Sequence, residues 1–403
     1  MALNNSPHAW QLIREASAEL SAPALLPGFF AVPPIAEDEI LAVFRRVCAI
    51  YDGELMSTLR VYQGGRREAL EHALLAAPPN FGETLRMWHG RLAGGASTAI
   101  FLNRVERWSE AIATLAARLN YALSGGDTSN LFAVEAALLI GDYGYSPFGI
   151  HVDQGSTRVV HIPLTHVPKS LYTWPRDIYE KATGGSVPCF EPERLIPLAD
   201  RHTYRAGDLF FLPASLFHIG HSPELTASLA FVLTPRIEPL PLDGAAAALA
   251  NHAGTDWQEK PEARALSLDT LLTLARAHRE LQWSSSFGLS AAIEYDAQAL
   301  FSDFDQAFAI VPPFQILVQR GQGLAVYARG TSFALLSGLD ERHADDLCTL
   351  FAVLNTGESL TLQLARHVAP SISVDALTWL IELLIARHVL VTVSSQNCAI
   401  CPK

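Results

Sequence analysis

The sequence predicts an α+β chain built around an antiparallel double-sheet barrel, with helices before it, a helical region after it and three short helices near the end. Three patterns carry that prediction. Between about residues 130 and 235, short apolar and β-branched runs alternate with turn residues. Residues 266–282 then put Leu266, Leu268, Leu271, Leu272 and Leu274 on a broad apolar helical face, and three helical stretches follow beyond about residue 312. The corresponding parts are 1–240, 241–311 and 312–403, and 49% hydrophobic residues supply a core for each.

Prolines at 23, 27, 33 and 34 break the chain before a helix at 37–50, whose apolar residues are Ile40, Leu41, Val43, Phe44, Val47 and Ile50. A strand follows at 99–102. Residues 107–123 read as one amphipathic helix with Ile112, Leu115, Leu119 and Leu123 in register, stopped by Ser124-Gly125-Gly126-Asp127. An apolar run from 131 through 140, then runs at 158–164, 209–212 and 228–233, read as strands, with a charged helical insert at 176–183 between them. Helix returns at 245–250 and 266–282. The last part has a strand at 324–328, helices at 341–354, 358–367 and 373–388, and a strand at 389–393, an order that suggests a winged helix.

Composition narrows the function classes. No apolar run reaches the roughly 18 residues that a membrane span needs, and the N-terminus lacks a basic then apolar leader, so a cytoplasmic protein is expected. Cysteines 48, 189, 348, 398 and 401 are odd in number and scattered, which argues for reduced thiols; Cys398 and Cys401 form a Cys-x-x-Cys with no second pair to complete a zinc site. A net charge of -12 argues against nucleic acid as a partner and suits a basic polypeptide.

The chemistry concentrates in two places. Gly149-Ile150-His151-Val152-Asp153 reads as extended, and residues two apart in a strand face the same side, so His151 and Asp153 present an imidazole and a carboxylate to one point. A His-x-Asp tripeptide alone also fits a solvated turn or a core histidine; the strands flanking this one favour a metal. The second place is Gly207-Asp208-Leu209-Phe210-Phe211-Leu212-Pro213, a turn, a strand and a stop, with His218 on the next segment. A second imidazole completes two nitrogens and one oxygen on one face of a divalent iron, leaving positions open for oxygen chemistry. The spacing, familiar from cupin-type barrels, favours His218 over His221, which falls on the opposite face of a regular strand.

Taken with Ser97-Thr98-Ala99-Ile100-Phe101-Leu102-Asn103-Arg104-Val105-Glu106-Arg107-Trp108 and Tyr145-Ser146-Pro147-Phe148 ahead of Gly149, these segments resemble the JmjC-type 2-oxoglutarate oxygenases, and within them the ribosomal oxygenase branch. The motif likeness covers roughly residues 97–235, and the order of parts extends it over nearly the whole chain. The resemblance implies a cupin/JmjC double-stranded β-helix barrel, a helical dimerisation region and a C-terminal winged helix. It also implies Fe(II) held by His151, Asp153 and His218, with 2-oxoglutarate as co-substrate. A cation shortly after the His-x-Asp strand anchors that co-substrate in the family; Lys169 is the best match, and Arg158 is the substitute because the intervening segment is longer than usual. His161 stands where related proteins often have glutamine, either donating to a bound acid or serving as a buried structural histidine. Tyr145 and Tyr143 contact the co-substrate, cap the pocket or simply pack.

The function implied is hydroxylation of an amino-acid side chain in a protein or peptide, a ribosomal protein or the precursor of a peptide natural product, by a homodimer. Two other classes fit the residues: a metal-dependent cupin enzyme that does not use 2-oxoglutarate, and a non-enzymatic winged-helix regulator. The few basic residues on the C-terminal helices, Arg366 and Arg387, weigh against DNA reading by the latter.

Overall fold

Among the described residues, twelve strands organise the first part of the chain: β1 (Ala24–Leu26), β2 (Leu59–Gln63), β3 (Arg66–Arg67), β4 (Thr98–Asn103), β5 (Ala133–Gly141), β6 (Gly144–Tyr145), β7 (Arg158–Pro163), β8 (Lys169–Trp174), β9 (Asp200–Tyr204), β10 (Leu209–Leu212), β11 (Phe217–Ser222) and β12 (Thr226–Thr234). They pair antiparallel into an eight-stranded sheet, β1-β10-β7-β12-β5-β4-β2-β3, and a four-stranded sheet, β6-β11-β8-β9. The computed structural model describes residues 7–50, 58–64, 66–67, 70–236, 266–289, 293, 306–321, 324–335 and 340–393; the helix read at 245–250 and the Cys398/Cys401 pair lie outside them.

The apolar run at 131–140 contains one strand, β5, with burial alternating along it as a sheet with two different faces requires. Residues 107–123 depart from a single helix. Ser109 is extended at φ -149° and its Oγ accepts the Ile112 N–H at 3.2 Å, so a 3-10 turn Val105–Trp108 ends there and the α-helix runs Glu110–Leu123. A residue acting as an N-cap cannot also continue a helix through itself. The insert Arg176–Thr183 is helical as read, and its Tyr179 stacks on Phe217 of β11 at 3.8 Å between ring centroids.

By internal contacts the chain divides into two units, 1–126 with 132–235, and 127–131 with 236–403. In the second, β13 (Ala307–Ile310) pairs with β17 (Leu390–Val393), and β14 (Leu317–Arg320), β15 (Leu324–Ala328) and β16 (Thr331–Leu335) form a meander. Its helices Leu268–Ser286, Glu341–Asn355, Leu362–Val368 and Val374–Ala386 are capped by Ser267, Asp340, Thr361 and Ser373, each side chain accepting a backbone N–H of the first turn. The cap at Thr361 explains why the helix read from 358 starts later. Leu347, Phe351, Leu377, Ile381 and Leu384 meet the strands in one apolar core.

Candidate metal centre

Gly149 sits at φ +71°, and a Cβ there would lie 2.7 Å from the Cys189 carbonyl oxygen, so the position admits only glycine. That close approach lets Ile150 pair with Cys189, and the next residue, His151, pairs with His218 through N–H to O contacts of 3.1 and 2.7 Å. These are isolated bridges. Val152 and Asp153 leave the pairing and run into a bend, which corrects the expectation of a strand through the His-x-Asp segment. Convergence of the side chains comes from the His151 to His218 bridge, since directly opposed residues in an antiparallel pair project to the same face.

The rings of His151 and His218 lie 4.4 Å apart between centroids, and each Nε2 is 3.9 Å from an Asp153 carboxylate oxygen. One ligand atom from each of the three residues lies within 4.8 Å of the others. His151 Nδ1 faces the Gly149 carbonyl at 3.0 Å and His218 Nδ1 faces the Leu216 carbonyl at 3.3 Å. With Nδ1–H donated to the backbone, Nε2 presents its lone pair to the shared point. Burial first, then the neighbouring His151, pushes His218 down to about 4, with Asp153 opposing. The ring is therefore neutral near pH 7, the form that binds a metal.

A cavity of about 640 Å³, lined from both sheets, opens beside these three residues. Lys169 begins β8, is 2% exposed, and donates from Nζ to Ser228 Oγ on β12 at 3.0 Å, a hydrogen bond that joins the two sheets. Gly220 leaves room for its stem, since a Cβ there would lie 3.6 Å from Lys169 Cε. His161 faces the same cavity from β7, with both ring nitrogens buried and without a hydrogen-bond partner among the described residues. Burial, then the charges of Lys169 and His218, hold it well below the ordinary imidazole range. Partnerless buried polar atoms cost stability, so two of them on a cavity wall suit a water or a ligand with polar atoms of its own.

Arg158 does not reach the cavity: it donates to the Leu20 carbonyl at 3.4 Å and lies over Phe132. Tyr145 does not line it either. It pairs with His221 and packs with Tyr172 on the outer face of the four-stranded sheet, while Tyr143 takes the cavity position, its ring 5.8 Å from Lys169 Nζ. Phe217, Ile219 and His221 alternate away from His218, so His221 lies on the face opposite the cavity-lining His218. Sequence reasoning missed Ser228, Arg60 and Asn103. For Ser228 the signal was a lone hydroxyl in an apolar strand; Arg60 and Asn103 gave none.

Two imidazoles and one carboxylate on one side, with no further metal-ligand side chain grouped with them among the described residues, fit a divalent iron that keeps open positions. Fold and site thus define a mixed α/β protein with antiparallel sheets and a cluster of two imidazoles and a carboxylate that could hold a metal ion. No family model and no curated protein matches the chain. Among solved structures, it is similar to the ribosomal oxygenase YcfD from Escherichia coli over 92% of this chain and 95% of that one, at 15% identity and a TM-score of 0.47. A structure of YcfD with cobalt and 2-oxoglutarate matches over the same shares at 14% identity and a TM-score of 0.48. The epimerase SnoN, in complex with Fe3+, alpha ketoglutarate and nogalamycin RO, matches 57% of this chain and 85% of its own at 15% identity and a TM-score of 0.32.

Proposed function

We propose that the chain is an Fe(II)- and 2-oxoglutarate-dependent oxygenase that hydroxylates an amino-acid side chain in a protein or peptide. The convergence of His151 Nε2, Asp153 and His218 Nε2 beside a buried, cavity-facing lysine carries this reading. Iron and 2-oxoglutarate, when bound, would let dioxygen act as the oxidant, one oxygen atom entering succinate as 2-oxoglutarate loses carbon dioxide and the other entering a C–H bond of the substrate. His151, Asp153 and His218 hold the metal. Lys169 and Ser228 receive the distal carboxylate, His161 donates to the bound acid, and the apolar walls limit water around the reacting carbon.

A substrate of peptide size is supported by a second concavity of about 430 Å³ formed within 182–195, which shares Phe190 with the metal cavity. Phe190 is 71% exposed, an apolar step between the two spaces. We read the two sheets as a cupin/JmjC double-stranded β-helix and the last part as a winged helix, on the pairing order and on the sequence of helices and strands. A homodimer belongs to the same reading. Leu268 stays 65% exposed and Leu271, Leu272 and Leu274 are only half-buried on the helix Leu268–Ser286, an apolar face that a second copy would cover.

The test is succinate formation from 2-oxoglutarate by the iron-loaded protein, together with Mn(II) binding by calorimetry. The wild type binds one metal and consumes 2-oxoglutarate; Asp153→Ala loses both. Full succinate production by that variant would remove the assignment, and Mn(II) binding without any 2-oxoglutarate dependence would favour a metal-dependent cupin enzyme of another class.

A further inference from the structure

The far wall of the metal cavity carries a cation that the proposed reaction leaves without a role. Arg60 on β2 lines the cavity and has no hydrogen-bond or ion-pair partner among the described residues. Strand register fixes its place. Arg60 opposes Phe101, Phe101 opposes Leu139, and Leu139 opposes Ser228, so Arg60 lies in the same cross-strand row as the serine that binds Lys169. Three strand spacings separate the two backbones, about 14 Å.

On the oxygenase reading, one carboxylate of 2-oxoglutarate goes to the metal and the other to Lys169. Its five carbons span at most about 6 Å at ordinary C–C bond lengths, so neither end is left for Arg60. Between Arg60 and the metal donors runs an apolar wall. Tyr62 meets Phe101 at 5.8 Å between centroids, Phe101 meets Phe148 at 4.4 Å, and Phe148 meets the His151 ring at 6.2 Å. Asn103, one row along on β4, adds an amide to the same wall.

The charges lining the cavity exclude the opposite kind of substrate. Among the described residues they are Arg60, Lys169 and a single carboxylate, Asp153, which the metal takes. A guanidinium or ammonium group entering here would find two cations and no free acid, and an unpaired buried charge is among the costliest groups a site can hold. The chain's net charge of -12 attracts basic partners only at long range, and screening beyond about 8 Å leaves the choice to local pairing.

We infer that Arg60 is the specificity determinant for the molecule being oxidised, which presents a carboxylate to Arg60 and lays an apolar stem along Tyr62, Phe101 and Phe148 towards the metal. This rests on the oxygenase reading only for the end at which oxidation occurs. Whether the carboxylate is an acidic side chain, a peptide C-terminus or a free acid is decided by the arms of the test.

Binding is measured by calorimetry on the full chain, loaded with Mn(II) and 2-oxoglutarate so that no turnover occurs, and again without metal. The ligands are amidated peptides with internal Glu or Asp, neutral peptides with a free C-terminus, N-acetylated amino acids, and amidated peptides with Arg or Lys. Carboxylate-bearing ligands are expected to bind at least tenfold tighter than the basic set, as a charge-assisted pair in a partly buried site allows. Arg60→Lys keeps most of that preference and Arg60→Glu reverses it. Tighter binding of basic ligands by the wild type, or an unchanged preference in Arg60→Glu, overturns the inference. So does a loss of 2-oxoglutarate affinity in Arg60→Ala, because Arg60 would then be the co-substrate anchor. Failure of the wild type to bind 2-oxoglutarate sinks the oxygenase reading, and the metal-free series still decides the carboxylate preference.

Discussion

The two faces of the four-stranded sheet put the same two strands to opposite uses. On the inner face β8 and β11 present Lys169, Leu171, His218 and Gly220 to the cavity; on the outer face they present Tyr172, Trp174, Phe217 and Ile219 to an apolar cluster that includes Tyr179. Period-two alternation makes this possible, because a strand carries two independent side-chain programmes. The outer face stabilises by burial and stacking. The inner face keeps a buried ammonium and imidazoles whose desolvation works against folding, which is expected where polar groups are retained for a ligand.

Substitutions separate the two programmes. The largest effect is expected at His218→Ala, which should cost well over a hundredfold in 2-oxoglutarate turnover, since even groups that merely orient a metal ligand cost about tenfold to a hundredfold. Its thermal midpoint should stay near that of the wild type; an unfolded variant would break the division between the faces. Phe217→Ala, one residue away on the outer face, should lower stability by about 3–5 kcal/mol in urea titrations, because a fully buried ring stacked on Tyr179 is lost. Metal affinity of the fraction still folded should be retained.

Lys169→Met sharpens the comparison from the inner side. Replacing the buried ammonium by an apolar chain of similar length is expected to leave the thermal midpoint unchanged or raised. It should weaken 2-oxoglutarate binding by roughly tenfold to a hundredfold in calorimetry, the range for hydrogen bonds to a charged group. Unaltered 2-oxoglutarate affinity would remove Lys169 from the site.

Glu106 is a buried carboxyl away from the cavity, and its effect is smaller and depends on pH. It is 1% exposed; burial pushes its carboxyl up to about 8, against a bond from the Ala136 N–H that lowers it. The folded state thus holds this proton more tightly than the unfolded chain, whose carboxyl titrates near 4.5. The contribution to stability is complete below that value and is lost as pH rises to about 8. Glu106→Gln should flatten this decline, by on the order of a few kcal/mol between about pH 5 and pH 9. An unchanged slope in urea midpoints would show that the carboxyl is not protonated in the fold.

Much of the fold was legible because it is written locally. The insert Arg176–Thr183, the strands around 158–163 and 209–212, and the C-terminal helices follow from hydrophobic period and turn residues. The departures came where a single side chain overrode the period: Ser109 caps a helix that the pattern would have run through, and Thr361 does the same later in the chain. At the site, Gly149, His151, Asp153 and His218 stood out by residue type and spacing. The side-chain directions of Tyr145 and Tyr143 did not, because the chain turns between them at Gly144, φ +64°, and alternation does not carry from Tyr143 into β6.

By itself the sequence determined the elements, the three candidate donors and a choice of cations, since helix period, capping and metal-ligand chemistry are properties of residues near one another in the chain. Only the tertiary structure decided that Lys169 and not Arg158 faces the cavity, that Ser228 meets it from the other sheet, and that Arg60 ends the row on the far wall. Those choices depend on which strands pair and in what register. Pairing is settled by burial across the whole sheet, a sum over distant residues that no local pattern contains.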